Sequence, residues 1–202
     1  MAKERLKSPR ARLFVALDLP DEVRDRLREW QRSAVVDPAL RPLGAAQLHV
    51  TLCFLGYHPE SRIDAIAELV RGVGPRPVEL RFERALAAIP ARRPRAFAAD
   101  AKSDSAISLQ AELSDLLAAE GFYEPEKRPF WPHVTMARVR AEKGRRGRFR
   151  TVESPPGPLP DTMCEPFGAV RVALYRSILR PTGAEYASLA ELDLPPVEAE
   201  KR

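Results

Sequence analysis

Residues 130–139 read FWPHVTMARV, and the tripeptide His133-Val134-Thr135 within it has a counterpart in QLHVTLCFLG at residues 47–56. The chain holds three histidines in 202 residues, and two of them share this setting. Both stretches are rich in β-branched and aromatic residues and read as strands. Side chains alternate along a strand, so His49 and Thr51 point one way and Val50 the other. The same holds for His133 and Thr135 against Val134. Each strand presents an imidazole beside a hydroxyl while its valine packs against a helix. If the two faces confront each other across a cleft, two imidazoles and two hydroxyls converge on one small volume.

The flanking sequence supplies the rest of the frame. ARLFVALDLP (11–20) alternates as a strand closed by Pro20, and Asp21 can cap a helix bearing Val23, Leu27 and Trp30 on one face. The strand with His49 stops at Gly56. Pro59 suits a first helical turn, with His58 exposed before it and Ile63, Ile66, Ala67 and Val70 forming the next apolar stripe. PVELRFERALAAI and RAFAADA read as two strands around a turn at ARRP. Ser103 or Asp104 caps a helix carrying Leu109, Leu113, Leu116 and Leu117, and Gly121 stops it. GAVRVALYRSIL and AEYASLAELDL close the chain as strands.

Each half thus offers strands, helices and one His-Val-Thr strand. The expected fold is α+β and bilobal, with two antiparallel sheets lining a central cleft, helices outside and a pseudo-two-fold axis. One domain is expected over residues 12–194, with mobile tails at 1–11 and 195–202. Neither GxGxxG nor GxxxxGK[ST] occurs, so no dinucleotide or P-loop site is indicated.

Composition narrows the function classes. Hydrophobic residues make up 45% and charged residues 30%, an ordinary globular balance that argues against wholesale disorder. No apolar run approaches the roughly 18–20 residues that span a bilayer. The basic N-terminus lacks the apolar stretch of a secretory signal, so a cytoplasmic protein with no membrane partner is expected. Cys53 and Cys164 form no CxxC pair and read as buried apolar residues. A net charge of +5 suits an anionic partner such as RNA or a nucleotide. A monomer is expected.

Paired imidazoles and hydroxyls suit phosphate chemistry without a metal. One neutral imidazole takes a proton from attacking water while the other, protonated, gives one to the leaving oxygen. An ordinary pKa of roughly 6.5 leaves both forms accessible near neutrality. Thr51 and Thr135 can donate to phosphate oxygens where charge develops. Zinc generally needs three or four protein ligands, and His49, His133 and at most Cys53 are on offer, so no metal and no cofactor is expected.

LHVTLCFLG and PHVTMAR, with the opening RLFVALDLP and the late LYRSIL, resemble the two-histidine phosphoesterases. Among these the chain is similar to the bacterial and archaeal RNA 2′,3′-cyclic phosphodiesterases, historically called 2′-5′ RNA ligases. The resemblance runs from about Arg12 to Leu194. It implies a bilobal fold and places the paired HxTx motifs on His49-Val50-Thr51-Leu52 and His133-Val134-Thr135-Met136. It further implies that His49 donates a proton and His133 accepts one, opening an RNA 2′,3′-cyclic phosphate to a 2′-phosphate. The reverse reaction would account for the ligase name. Two departures stand out: Cys53 occupies a position often polar in the family, and RPLGAAQLH lacks the aromatic common before the first motif.

Strict alternation sets Cys53 beside His49 and Thr51 on the cleft floor, filling it as a small residue. Arg138 matches the arginine after the family's second motif, yet lies five residues from His133. It reaches the cleft only if the strand twists or bulges. Arg128 and Trp131 are candidates for phosphate and base contacts, although Phe130 and Trp131 before a strand read first as core. Tyr175 and Ser177 share a face and read as packing at the cleft edge. The run Lys143, Arg145, Arg146, Arg148, Arg150 reads as a solvated loop. Two other functions remain open: a non-catalytic RNA-end-binding protein, or the same chemistry on a small cyclic nucleotide or 2′-5′ oligonucleotide.

Overall fold

The computed structural model describes residues 9–197 apart from 143, 146, 181 and 182. The expected tail residues 1–8 and 198–202, and Lys143 and Arg146 of the basic run, lie outside the described residues. In chain order the elements are β1 (Arg10–Asp18), α1 (Asp21–Ala34), β2 (Leu40–Pro42), β3 (His49–Pro59), α2 (Ile63–Gly72), β4 (Glu79–Ile89) and β5 (Ala96–Lys102). They continue with α3 (Asp104–Ala119), β6 (His133–Val139), β7 (Phe167–Gly168), β8 (Arg171–Arg180) and β9 (Gly183–Asp193).

The strands form a curled antiparallel sheet in a mixed α+β fold. Its order is β7-β4-β5-β6-β3-β1-β8-β9, with β2 added beside β6. Each half of that path holds four strands and ends centrally on a His-Val-Thr strand. The halves meet through one residue pair, Val50 opposite Val134. The two expected sheets are therefore continuous, hinged where the inward valines of the repeated tripeptide pair. Both valines are fully buried, and each such side chain removed from water contributes roughly 1.5–3 kcal/mol.

The helices pack on the face away from the cleft. Val23, Leu27 and Trp30 of α1, Ile66, Ala67 and Val70 of α2, and Leu109, Leu113 and Leu117 of α3 share one core cluster with the sheet. Leu116 is only partly buried and packs at its margin. Ser103 is the cap of α3: its hydroxyl accepts from the Ala106 backbone N–H at 2.9 Å. Gly121 follows that helix at φ +68°, where a side chain would be strained.

Several boundaries differ from the sequence reading. β1 begins at Arg10 and buries Ala11, inside the expected tail, because β3 runs on past Gly56 to pair with it. Gly56 sits within the strand at φ +76°, beside an irregularity in the β1–β3 register. Pro59 ends β3 rather than starting a helix; a single 3-10 turn, Glu60–Arg62, leads into α2. His58 is consequently a strand residue whose Nε2 lies 3.0 Å from the Leu55 carbonyl. Pro20, not Asp21, precedes α1, and Asp21 instead pairs with Arg24 one turn on.

Candidate active site

The two repeated strands deviate from alternation at equivalent places. In the β1–β3 register Val15 faces Cys53 and Ala16 faces Thr51, leaving Leu52 as an extra residue. In the β5–β6 register Phe97 faces Ala137 and Ala98 faces Thr135, leaving Met136 extra. Both are β-bulges, and a bulge shifts the side-chain parity of everything after it. The outcome is one burial pattern repeated twice. His49 and Thr51 are half-buried, Leu52 and Cys53 both buried, and Phe54 exposed. His133 and Thr135 are half-buried, Met136 and Ala137 both buried, and Arg138 exposed.

Cys53 therefore leaves the cleft. It is 1% exposed in the core, its Sγ 4.0 Å from Gln110 Nε2 of α3, and burial pushes its thiol up to about 12. The expected place beside His49 and Thr51 is overturned by the bulge. Arg138 moves the opposite way and lines the cleft, as does its counterpart Phe54. The β6 bulge is held by two donors: the Met136 carbonyl accepts from Leu43 N at 3.1 Å and from Gln31 Nε2 at 2.8 Å. Gln31, on α1 and 4% exposed, is buried because this carbonyl needs it.

The cleft encloses about 360 Å³ and is lined by His49, Thr51, His133 and Thr135 together. Among the described residues that line it, four arginines, Arg12, Arg41, Arg138 and Arg180, surround them, and none is a carboxylate. Among the described residues no cluster of three or more His, Cys, Asp or Glu side chains is arranged to hold a metal ion. Arg12 donates to Ser177 Oγ at 2.8 Å and lies with its guanidinium carbon 4.5 Å above the Phe54 ring. Gly183 makes room for Arg41: a Cβ there would fall 2.7 Å from Arg41 Nη1.

Each histidine is oriented by backbone and aromatic contacts. His133 Nδ1 lies 2.8 Å from the Trp131 carbonyl. A carbonyl only accepts, so the N–H sits on Nδ1 and the neutral ring keeps its lone pair on Nε2. Trp131 also stacks on this imidazole, centroids 4.3 Å apart at 18°. His49 bonds to the Ala46 backbone, stacks on Phe14 at 5.1 Å and meets the edge of Tyr186 at 5.4 Å. Burial pushes the His49 imidazole down to about 4; the Ala46 hydrogen bond opposes this, while the charges of Arg138 and His133 add to it. His49 is therefore neutral at pH 7.

Beyond Phe14 lies a polar cluster around the buried Asp18. Tyr175 stacks on Phe14 at 5.3 Å and donates to Asp18 at 2.8 Å, while Arg171 Nε is 3.2 Å from the same carboxylate. Burial raises the Asp18 carboxyl above its usual range against the lowering pull of Tyr175 and Arg171. Tyr175 is thus packing with a polar anchor, and Ser177 an acceptor for Arg12. Arg128 does not reach the histidine cleft: its side chain is 89% exposed and 3.8 Å from Glu126. Phe130 and Trp131, read first as core, are half-buried and line a second cavity next to the cleft. Arg12, Arg41, Phe14 and Tyr186 escaped the sequence reading. They sit on strands that only tertiary pairing brings beside the motifs, and no local pattern marks them.

No helix among the described residues is long and apolar enough to cross a membrane. The sequence model of the 2′-5′ RNA ligase superfamily matches residues 19–159, more than half of the chain. A Thermus thermophilus protein named RNA 2′,3′-cyclic phosphodiesterase is 32% identical over 197 residues, covering 91% of this chain and 90% of the relative. A Methanocaldococcus jannaschii protein of the same name is 24% identical, covering 89% and 99%. Among solved structures, a Thermus thermophilus protein superposes with a TM-score of 0.75 at 29% identity, covering 91% and 97%. Escherichia coli LigT complexed with 3′-AMP gives 0.71 at 24% identity, covering 92% and 99%, a likeness of fold.

Proposed function

The chain belongs to the 2′-5′ RNA ligase superfamily, and from that premise we propose that it is an RNA 2′,3′-cyclic phosphodiesterase working by paired histidine acid–base catalysis without a metal. The observation that carries this reading is the convergence of both His-Val-Thr faces on one cavity whose described lining holds four arginines and no carboxylate. Such a donor set fits a bound phosphodiester anion.

In the proposed reaction water attacks the phosphorus of the cyclic phosphate. The Nδ1 contact to Trp131 puts the lone pair of the neutral His133 ring on Nε2, which takes the water's proton as its oxygen bonds to phosphorus. The bond from phosphorus to the 3′ oxygen breaks, and His49 gives that oxygen a proton. The product carries a 2′-phosphate and a free 3′-hydroxyl; proton exchange with solvent restores both rings. His49 must be protonated for its step although burial keeps its imidazole neutral near pH 7. The bound phosphate supplies the change, since an anion beside a desolvated imidazole favours its charged form. Thr51, Thr135 and Arg138 donate to the non-bridging oxygens, which gather charge in the transition state.

The deciding experiment is product analysis of an RNA ending in 2′,3′-cyclic phosphate, with EDTA present. A 2′-phosphate product, lost in both His49→Ala and His133→Ala variants that remain folded, is expected. A 3′-phosphate product, or full turnover in either variant, would overturn the reading. Salt-sensitive RNA binding with no product under any condition would instead make the protein an RNA-end binder.

A further inference from the structure

We propose that four arginines, Arg41, Arg138, Arg140 and Arg150, form a stripe that leads out of the cleft and holds the backbone phosphates of the RNA on the 5′ side of the cyclic end. The inference rests on the phosphodiesterase reading above and deepens it: the histidines take the terminal phosphate, and the stripe takes the chain behind it.

Strand pairing builds the stripe. Arg138 lines the cleft, and Arg41 of β2, which lines it too, stands directly opposite in the β2–β6 register. Opposite residues share a face of the sheet, as do residues two apart along one strand. Arg140 therefore follows Arg138 on that face, while Val139 between them is buried with Leu40 and Phe97 on the other. Beyond β6 the chain doubles back: Ala141 bridges Phe149, and Arg150 N donates to the Arg140 carbonyl at 3.0 Å. That register sets Arg150 opposite Arg140. Phe149 packs against the buried side, so alternation leaves Arg150 on the face of the stripe. Arg140 is itself fixed, its Nε donating to the Leu40 carbonyl at 3.1 Å.

The charge of the stripe is uncompensated. On the helices Arg24, Arg32 and Arg71 each have an acidic partner one turn away. Among the described residues no carboxylate pairs with Arg138, Arg140 or Arg150, and all three are exposed. Like charges directly opposite on a sheet are destabilising, yet two such pairs follow one another here, Arg41 with Arg138 and Arg140 with Arg150. A bound polyanion removes that repulsion. Further along, Glu142 stands opposite Arg148 and pairs with Arg145 at 3.8 Å, so the run of like-charged pairs ends there. Two strand residues span about 6–7 Å, which lets successive arginines meet successive phosphates of an extended chain.

The test compares uridine 2′,3′-cyclic phosphate with an octanucleotide ending in the same group. In the wild type kcat/KM is higher for the octanucleotide, and this advantage falls as salt is raised. In the Arg140→Gln, Arg150→Gln double variant KM for the octanucleotide rises on the order of tenfold at about 0.1 M salt, and its salt slope drops by roughly 0.7 per arginine removed. Turnover of the mononucleotide is unchanged, since neither residue lines the cleft. Lysine at both positions keeps the salt slope, because charge and not the Leu40 bond sets it; loss of the slope there overturns the stripe. Equal kcat/KM for the two substrates in the wild type, or an unaltered octanucleotide KM in the glutamine variant, overturns it as well. Fluorescence anisotropy with an end-labelled octanucleotide bearing a 2′-phosphate gives a readout free of catalysis. Loss of turnover on both substrates strikes the phosphodiesterase reading, and anisotropy then decides the stripe by itself. Weaker, less salt-sensitive binding by the glutamine variant upholds it, and equal binding overturns it. Binding to phosphatidylserine vesicles with none to the octanucleotide also overturns it.

Discussion

Replacing His49 by glutamine removes one titrating group and leaves a neutral side chain with an amide donor for the Ala46 backbone. The unfolded chain holds this imidazole near its ordinary 6.5, and the folded cleft holds it down at about 4. Between those values the unfolded state binds more protons, so acid favours unfolding. The stability due to neutral His49 is present above pH 6.5 and is lost as the pH falls towards 4. With these two values, the loss between about pH 7.5 and about pH 5 is on the order of 2 kcal/mol. The assay is urea unfolding followed by circular dichroism at both pH values for the wild type and His49→Gln. Every other titrating group is common to both proteins, so the difference between the two pH slopes isolates His49. The wild type should lose about 2 kcal/mol more than the variant over this range. Inorganic phosphate should shrink that difference by raising the folded-state value. Parallel slopes for the two proteins would refute the account of a desolvated His49, and with it the need for substrate to charge the proton donor.

Gln31→Leu leaves the Met136 carbonyl with Leu43 N alone; stability should fall by about 1 kcal/mol, and KM for the cyclic phosphate should rise severalfold as the bulge that aims Arg138 loosens. An unchanged KM would separate Gln31 from the site. Cys53→Ser should cost about 1–3 kcal/mol for burying a hydroxyl while kcat stays at the wild-type level. Iodoacetamide should fail to label Cys53 in the native protein, since its thiol is buried and pushed up to about 12; rapid labelling, read by mass spectrometry, would return Cys53 to the cleft. Ser103→Ala should remove about 1 kcal/mol of stability through the lost cap on α3, with kinetics unaltered, as urea unfolding and steady-state rates would show.

The fold and the histidine pair were largely legible because their signals are local. Alternation marked β1, β-branched and aromatic composition marked β3 and β6, the leucine stripe and Ser103 marked α3, and the doubled His-Val-Thr marked the two cleft faces. The short strands β2 and β7 carry too few residues for any period to show. Gly56 read as a stop because a positive φ is usual at a strand end, yet β1 supplies a partner for the residues beyond it.

The same alternation that placed His49, Thr51, His133 and Thr135 misplaced Cys53 and left Arg138 undecided. Parity along a strand is a local property only while pairing is regular. At Leu52 and Met136 the neighbouring strands β1 and β5 skip a residue, and Gln31 and Leu43, more than ninety positions before Met136, hold its carbonyl. The sequence by itself determined which strands carry the paired histidines and threonines and which faces of them line a cleft. Tertiary structure decided how the residues just beyond those tripeptides point: an arginine and a phenylalanine turned inwards, a cysteine turned away. The reason is that a bulge forms where distant backbone groups satisfy one another, and no stretch of β3 or β6 contains those partners.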